Sequence, residues 1–192
     1  MNRTGRLFVL SAPSGSGKTT LLRALLRRNR RITLSISTTT RPPRAGERHG
    51  KDYWFLGKAE FRRGIAQRKF LEYARVLENW YGTPRTPIEK ALRAGRDALL
   101  GIDIQGARQV RRSGLPVTTV FLLPPSLGVL RERLERRATE TPGQIQARLR
   151  LARRELKEVG KYDYAVVNDQ LQDAVAAVEA IIRAERHRVE KK

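Results

Sequence analysis

Residues 11–20 have the sequence SAPSGSGKTT, that is, Ser11-Ala12-Pro13-Ser14-Gly15-Ser16-Gly17-Lys18-Thr19-Thr20. The apolar run Leu7–Leu10 before them is typical of a buried strand, and Thr19–Arg28 after them is predicted as a helix. A glycine-rich segment between a strand and a helix is the setting of a phosphate-binding loop. Its backbone N–H groups can converge on phosphate oxygens, and the helix N-terminus adds its dipole.

The side chains of this segment suit a nucleoside triphosphate, which we expect to be ATP bound by residues 12–20. Lys18 can reach the β- and γ-phosphates, and the Thr19 hydroxyl can ligate Mg²⁺. Ala12 stands where the usual pattern has its first glycine. The alternative is a glycine-rich turn with an incidental lysine. The loop alone does not name the phosphoryl acceptor.

Strand and helix patterns alternate along most of the chain, which predicts an α/β fold with a parallel sheet. The other predicted strands are Ile32–Ile36, Ala98–Ile102, Val117–Leu123 and Tyr164–Val167. The later predicted helices start at Thr86, at Leu127 (ending at Arg137), at Thr141 (ending near Val159) and before Leu171. Thr86 and Thr141 each begin a capping-box sequence, and Gly95 is predicted to end the first of these helices.

Residues 37–83 differ from the rest of the chain. They contain both tryptophans, Trp54 and Trp80, and a mostly strand-like pattern with one short helix near Glu60–Ala66. We therefore predict an inserted sub-domain at 37–83 within a core formed by 1–36 and 84–192.

Composition favours a globular protein of the cytoplasm. The 192 residues include no cysteine, which excludes disulfides and zinc-thiolate sites, and no apolar run approaches a membrane span. The net charge is +21. Because the arginines are spread along the chain without an RNA-binding motif, we expect a basic surface rather than a nucleic-acid site. The sequence leaves the oligomeric state open.

Several motifs lie in and near the inserted segment, in the order Ser37–Glu47, Gly50–Tyr53, Phe70–Ala74 and Tyr81–Thr83. With the phosphate loop before them and Asn168-Asp169 after them, they resemble the guanylate kinase family over nearly the whole chain. The resemblance implies a P-loop kinase core with a parallel five-stranded sheet flanked by helices, an inserted GMP-binding sub-domain, and a helical lid at about 133–150. It also implies transfer of a phosphoryl group from Mg-ATP to GMP, in purine metabolism.

The GMP-binding roles that the resemblance implies fall on residues in or near the insertion: Ser37, Arg41, Arg44, Tyr53, Glu72, Tyr81, Thr83 and Asp103. Arginine forks and tyrosine hydroxyls suit a phosphate dianion. A carboxylate at Glu72 can accept from guanine N1–H and the 2-amino group, whereas adenine N1 is an acceptor. Hydroxyl groups at Ser37 and Thr83 can donate to guanine O6.

The resemblance implies lid arginines that close over the ATP phosphates, and these are Arg133, Arg137 and Arg148. Together with Lys18 they form the expected catalytic set. Asn168 is expected near the adenine, with a helix N-cap as the alternative. Gly101 stands where the family usually has an acidic residue, so Mg²⁺ is held either by Thr19, phosphates and waters or with help from Asp103.

Three other functions are alternatives to GMP phosphorylation. A kinase of a phosphorylated sugar, such as ribose bisphosphate, would keep the phosphate loop but need no guanine-reading carboxylate. A non-catalytic guanylate-kinase-like module that binds phosphopeptides could lose the ATP loop, which is intact here. A nucleic-acid binder is suggested by net charge alone.

Overall fold

The structure is a computed structural model that describes residues 4–29, 31–76, 78–136 and 141–189. Its main sheet is five-stranded and parallel, in the order β2-β7-β1-β8-β9, which confirms the predicted fold class. The strands are β1 (Leu7–Ser11), β2 (Ile32–Leu34), β7 (Asp97–Leu100), β8 (Val117–Leu123) and β9 (Tyr164–Val167). Every residue of β1 and β7 is buried, because parallel strands are covered on both faces.

Seven helices accompany these strands in the described residues: α1 (Lys18–Arg28), α2 (Lys58–Ala66), α3 (Arg85–Arg93), α4 (Ile104–Arg111), α5 (Leu127–Glu135), α6 (Pro142–Leu156) and α7 (Leu171–Arg186). A short 3₁₀ turn, Val159–Lys161, follows α6. Helix α7 packs on α1 and β9, and α3 packs on β7. No helix among the described residues is both long and apolar enough to cross a bilayer.

A second, four-stranded sheet lies within residues 38–84, in the order β4-β3-β6-β5. Its strands are β3 (Thr38–Thr39), β4 (Trp54–Phe55), β5 (Phe70–Val76) and β6 (Asn79–Pro84). β6 is antiparallel to both β3 and β5, whereas β3 and β4 are parallel. Stacked rings of Phe61 and Phe70, with centroids 4.5 Å apart, form part of its core.

The chain divides into two compact units. The first consists of the described parts of Met1–Leu7, Arg31–Leu100 and Gln105–Val117, and it contains the second sheet. The second consists of the described parts of Phe8–Arg30, Gly101–Ile104 and Thr118–Lys192, and it contains the phosphate loop. These boundaries follow packing and differ from the insertion predicted at 37–83, which stays a prediction.

Two helix starts test the capping predictions. At α6 the Thr141 hydroxyl accepts from the Gln144 N–H and the Gln144 side chain accepts from the Thr141 N–H, so that capping box is confirmed. The box at Thr86 was wrong, because β6 runs to Pro84 and α3 begins at once with Arg85. Pro87 is tolerated in the first turn, where N–H groups have no intrahelical partner.

The remaining boundaries differ slightly from the predictions. Helix α4 was not predicted, and α6 ends at Leu156, earlier than expected. Gly95 follows α3 with φ +70°, as expected of a helix C-terminus. The predicted end of α5 at Arg137 lies outside the described residues, and α5 ends at Glu135.

Candidate active site

The phosphate loop connects β1 to α1 with two glycines in the left-handed region, Gly15 at φ +95° and Gly17 at φ +89°. Both conformations strain any other residue. A Cβ at Gly17 would also collide with Nδ2 of Asn168, which donates to the Ser16 carbonyl at 2.7 Å. The Ser16 hydroxyl is buried and makes no hydrogen bond to the described residues. The Ser16 N–H donates to the Pro13 carbonyl at 3.1 Å, which closes the loop, and the Ser16 hydroxyl is left for a further partner.

Lys18 and Thr19 lie in the first turn of α1. The Lys18 ammonium donates to the Ile102 carbonyl at 2.6 Å, at the end of β7. The Thr19 side chain is exposed, as is that of Thr20. Ala12 and Pro13 are buried beneath the loop.

Glu155 projects from α6 into the surroundings of Lys18 and Asp103. Burial of its carboxyl, and next the negative charge of Asp103, raise the pKa of Glu155 to about 7, although Lys18 acts in the opposite direction. Its Oε2 atom is buried and makes no hydrogen bond to the described residues. Sequence reasoning missed Glu155, because nothing distinguishes it from the other charges of an arginine-rich helix.

Two of the predicted lid arginines contact the loop region. Arg148 of α6 donates to the Ser14 hydroxyl at 2.6 Å, and Arg133 of α5 donates to the Asn168 carbonyl at 3.1 Å. Arg137 lies outside the described residues. The alternative that Asn168 is a helix N-cap was wrong, since Gln170 occupies the N-cap of α7 and the Asn168 amide bonds to the loop.

Gly101, which follows β7 in the chain, lies close to Leu22 of α1. A Cβ at Gly101 would collide with Cδ1 of Leu22, so the departure from the family's acidic residue is matched by a filled space. The Asp103 carbonyl accepts a 3.4 Å bond from the Ser11 hydroxyl. Among the described residues, no cluster of three or more His, Asp or Glu side chains could hold a metal ion without a substrate.

In the first unit, Arg41 is held by an acid that the sequence analysis did not assign. One guanidinium nitrogen of Arg41 donates to both carboxylate oxygens of Glu47 at 2.8 Å, and the other donates to the Pro42 carbonyl at 2.6 Å. Burial opposes the charged form, but hydrogen bonds to Glu47 and Tyr81 outweigh it and raise the pKa of Arg41. The spacing of Arg41, Arg44 and Glu47 was the signal that could have revealed the acid.

Aromatic side chains surround this guanidinium. Its central carbon lies 5.6 Å from the ring centroid of Tyr53 and 5.9 Å from that of Phe55. The rings of Tyr53 and Tyr81 meet edge to face at 6.2 Å. Burial, and next the neighbouring Tyr81, raise the pKa of Tyr53, so its hydroxyl keeps its proton and can donate. Arg44 is exposed, and its N–H donates to Glu47 at 2.8 Å.

Glu72 is buried in the second sheet, directly opposite Thr83. The Thr83 hydroxyl donates to Glu72 Oε1 at 2.5 Å, so its proton is directed at the carboxylate rather than at a ligand. Ser37 immediately precedes β3 and is half-buried, and its carbonyl accepts from the Trp54 N–H at 2.8 Å. Of the eight expected GMP-binding residues, seven belong to the first unit and Asp103 belongs to the second.

A family profile described as guanylate kinase matches residues 4–185, which is most of the chain. The chain belongs to the guanylate kinase family. The guanylate kinase of Syntrophomonas wolfei is 49% identical over 189 residues, covering 98% of this chain and 97% of that protein. That of Methylococcus capsulatus is 47% identical over 187 residues, covering 97% and 92%.

A solved structure supports the same assignment. The crystal structure of guanylate kinase from Anaplasma phagocytophilum superposes with a TM-score of 0.80 at 35% sequence identity, covering 97% of this chain and 88% of that one. Membership of the guanylate kinase family therefore rests on sequence and fold together.

Proposed function

We propose that the protein transfers the γ-phosphoryl group of ATP to GMP, giving ADP and GDP. Family membership supports the reaction. The single structural observation that carries it is the buried Glu72 carboxylate, held by Thr83 in the second sheet. An ionised carboxylate can accept several hydrogen bonds, and guanine supplies two adjacent donors.

The donor site that we propose is the loop Ala12–Thr20. Lys18 leaves the Ile102 carbonyl and binds the β- and γ-phosphates, while loop N–H groups and the Ser16 hydroxyl bind phosphate oxygens. Arg133 and Arg148 reach the phosphates from α5 and α6, and Arg137 completes this set. Asn168 supports the loop through Ser16 and lies on the adenine side.

Mg²⁺ is the cofactor that we propose with ATP. The exposed Thr19 hydroxyl offers one hard oxygen ligand, and because Mg²⁺ retains waters and takes substrate phosphates, a single protein ligand suits it. Asp103 is the candidate that we propose for a further, water-mediated contact. When bound, the ion neutralises charge on the transferred phosphoryl group.

The acceptor site that we propose places the GMP phosphate against Arg41, Arg44, Tyr53 and Tyr81. Glu47 keeps the Arg41 fork oriented while leaving further N–H donors for phosphate. Glu72 accepts from guanine N1–H and the 2-amino group, and Ser37 donates to O6. The Thr83 hydroxyl donates its proton to Glu72, so a hydrogen bond from Thr83 to guanine requires that proton to change partner.

The chemical step that we propose is direct. A phosphate oxygen of GMP attacks the γ-phosphorus in line, the bond from that phosphorus to the bridging oxygen breaks, and ADP leaves with the electron pair. No enzyme nucleophile is needed, because positioning and charge neutralisation supply most of the catalysis in this chemistry. Since ATP and GMP are purine nucleotides of the cell interior, we place the reaction in cytoplasmic purine metabolism.

The deciding experiment measures ADP release from Mg-ATP with GMP, AMP, CMP, UMP or ribose bisphosphate as acceptor. Turnover with GMP far above the others supports the proposal. Turnover with ribose bisphosphate instead would keep the phosphate loop and overturn the guanine site. No turnover with any acceptor, together with phosphopeptide binding, would indicate a non-catalytic module.

A further inference from the structure

The edge of β5 that faces away from β6 is hydrogen-bonded by one side chain. Among the residues that the structure describes, β5 is the last strand of the second sheet and pairs with β6 alone. The Tyr73 N–H donates to Oε1 of Gln109 at 3.1 Å, and Nε2 of Gln109 donates to the Tyr73 carbonyl at 2.6 Å. A single amide on α4 therefore occupies both backbone groups of one residue on β5.

These two hydrogen bonds resemble the backbone pairing between neighbouring strands. A primary amide carries a donor and an acceptor side by side, so it can bond a backbone N–H and C=O as one residue of a neighbouring strand would. Carboxylate and aliphatic side chains of the same length lack that combination. Both partners are half-buried, which limits the competition from water.

The contact of Gln109 with Tyr73 lies next to Glu72, the residue that we assign to base recognition. Glu72 pairs with Thr83, but Phe70 pairs with Pro84, so one extra residue, Leu71, forms a β-bulge just before Glu72. Bulges bend a strand and change the direction of the side chains beside them. Glu72 thus lies between a bulge on one side and the Gln109 contact on the other.

A strand in this position needs external restraint. Edge strands are held along one side only, and slipping by one residue turns every side chain to the opposite face of the sheet. For Glu72 such a slip would separate the carboxylate from Thr83 and from any base. The Gln109 amide opposes it, because its two bonds fit Tyr73 and not the residues on either side.

We propose that Gln109 is a positioning residue for base recognition: it fixes the path of β5 so that Glu72 meets the guanine edge. This inference rests on the proposed function, since Glu72 must be the guanine reader. We assign Gln109 no substrate contact, because its side-chain amide is bonded to the Tyr73 backbone. Its effect is therefore confined to GMP binding and to the preference for GMP over AMP.

The test compares Gln109→Met, which keeps the length and removes both bonds, with Gln105→Met on the exposed side of the same helix. We expect Gln109→Met to raise KM for GMP about tenfold and to narrow the GMP-to-AMP ratio of kcat/KM by a similar factor. KM for ATP should not change. Gln105→Met should match the wild type in all three quantities.

A double-mutant cycle separates positioning from general stability. In the Glu72→Gln background, Gln109→Met should change the base ratio little, because the group that it positions has already been altered. Gln109→Glu keeps an acceptor for the Tyr73 N–H but turns a second oxygen toward the Tyr73 carbonyl in place of the donor, so it tests the lost pairing even if Gln109→Met does not fold. It should shift the base ratio in the same direction.

Several outcomes would overturn the inference: an unchanged base ratio in both Gln109 variants, equal increases in KM for ATP and GMP, or additive effects in the cycle. These differ from a failure of the proposed function, in which the wild-type protein itself does not phosphorylate GMP. If the wild type phosphorylates GMP and the Gln109 variants have the same kinetics, only the proposed positioning role is refuted.

Discussion

The Arg41 guanidinium and the Glu47 carboxylate are joined by two contacts of 2.8 Å from a single nitrogen. The same carboxylate accepts the Arg44 N–H at 2.8 Å. One acid thus fixes both the fork of the first arginine and the backbone of the second. The loop that we assign to the GMP phosphate is shaped before any substrate arrives, which lowers the ordering cost of binding.

Glu47→Gln is expected to raise KM for GMP roughly tenfold, because an amide holds the Arg41 fork without charge assistance. Steady-state kinetics with GMP varied at saturating Mg-ATP measure it. Glu78→Gln is the control, since its ion pair with Arg75 is exposed and such pairs contribute little. An unaltered GMP KM in Glu47→Gln would show that Arg41 needs no such support.

Lys18→Ala is expected to lower kcat by roughly 10²-fold or more, because the lysine neutralises charge that develops in the transition state. GMP affinity, measured by calorimetry without ATP, should stay the same. Lys58→Ala, an exposed lysine on α2, provides the control. Full turnover by Lys18→Ala would remove the loop from the donor site.

Glu72→Gln is expected to weaken GMP use and to narrow its advantage over AMP by roughly tenfold or more, since an amide offers one acceptor and a donor in place of two acceptors. The ratio of kcat/KM for the two nucleotides is the measurement. If that ratio does not move, the base is read elsewhere.

Glu155 is expected to make the folded state less stable as pH rises. Because the pKa of its carboxyl is raised to about 7 in the fold, the folded chain binds more protons than the unfolded chain between the ordinary value for glutamate and about 7. The stabilising effect is present at low pH and is lost through that window.

Glu155→Gln removes this titration. Its melting temperature relative to the wild type should rise between pH 5 and pH 8, by about 2–4 °C for each kcal/mol recovered. Glu132→Gln, on the exposed surface of α5, should show no such trend. A difference that stays constant with pH would mean that the Glu155 carboxyl titrates normally.

Gly17→Ala is expected to destabilise the fold by about 1–3 kcal/mol, from its positive φ, and to raise KM for ATP by displacing Asn168. Gly143→Ala is the matched control, because that helical position has open space around it and alanine is favoured there. Thermal melts and ATP kinetics on both variants give the comparison. Equal behaviour of the two would argue against strain at the loop.

Local patterns explain how much of the fold could be predicted. The apolar runs at Leu7–Leu10 and Val117–Leu123 and the capping box at Thr141 depend on neighbours in sequence, and each matched the structure closely. Helix α4 was missed because its residues lack an obvious start signal. At Thr86 the capping-box sequence did not mark the start of the helix, because the preceding strand runs directly into the helix.

The same difference between local and distant contacts determines which parts of the candidate site could be predicted from the sequence. The phosphate loop is contiguous, so its elements could be predicted together. Glu155 and Gln109 act across 52 and 36 residues of chain, on Asp103 and Tyr73, and no pattern in sequence links such pairs. The hydrogen bond from Thr83 to Glu72 could not be predicted, because it depends on strand register, which the folded sheet fixes.

Gly101 and Leu22 couple two positions that are far apart in the chain. A Cβ at 101 would meet the Leu22 methyl group, so any side chain at 101 requires Leu22 to change its rotamer. Because that methyl group is the end of a flexible side chain, the adjustment is local. In protein-engineering terms, the effects of substitutions at 101 and 22 are expected to be non-additive.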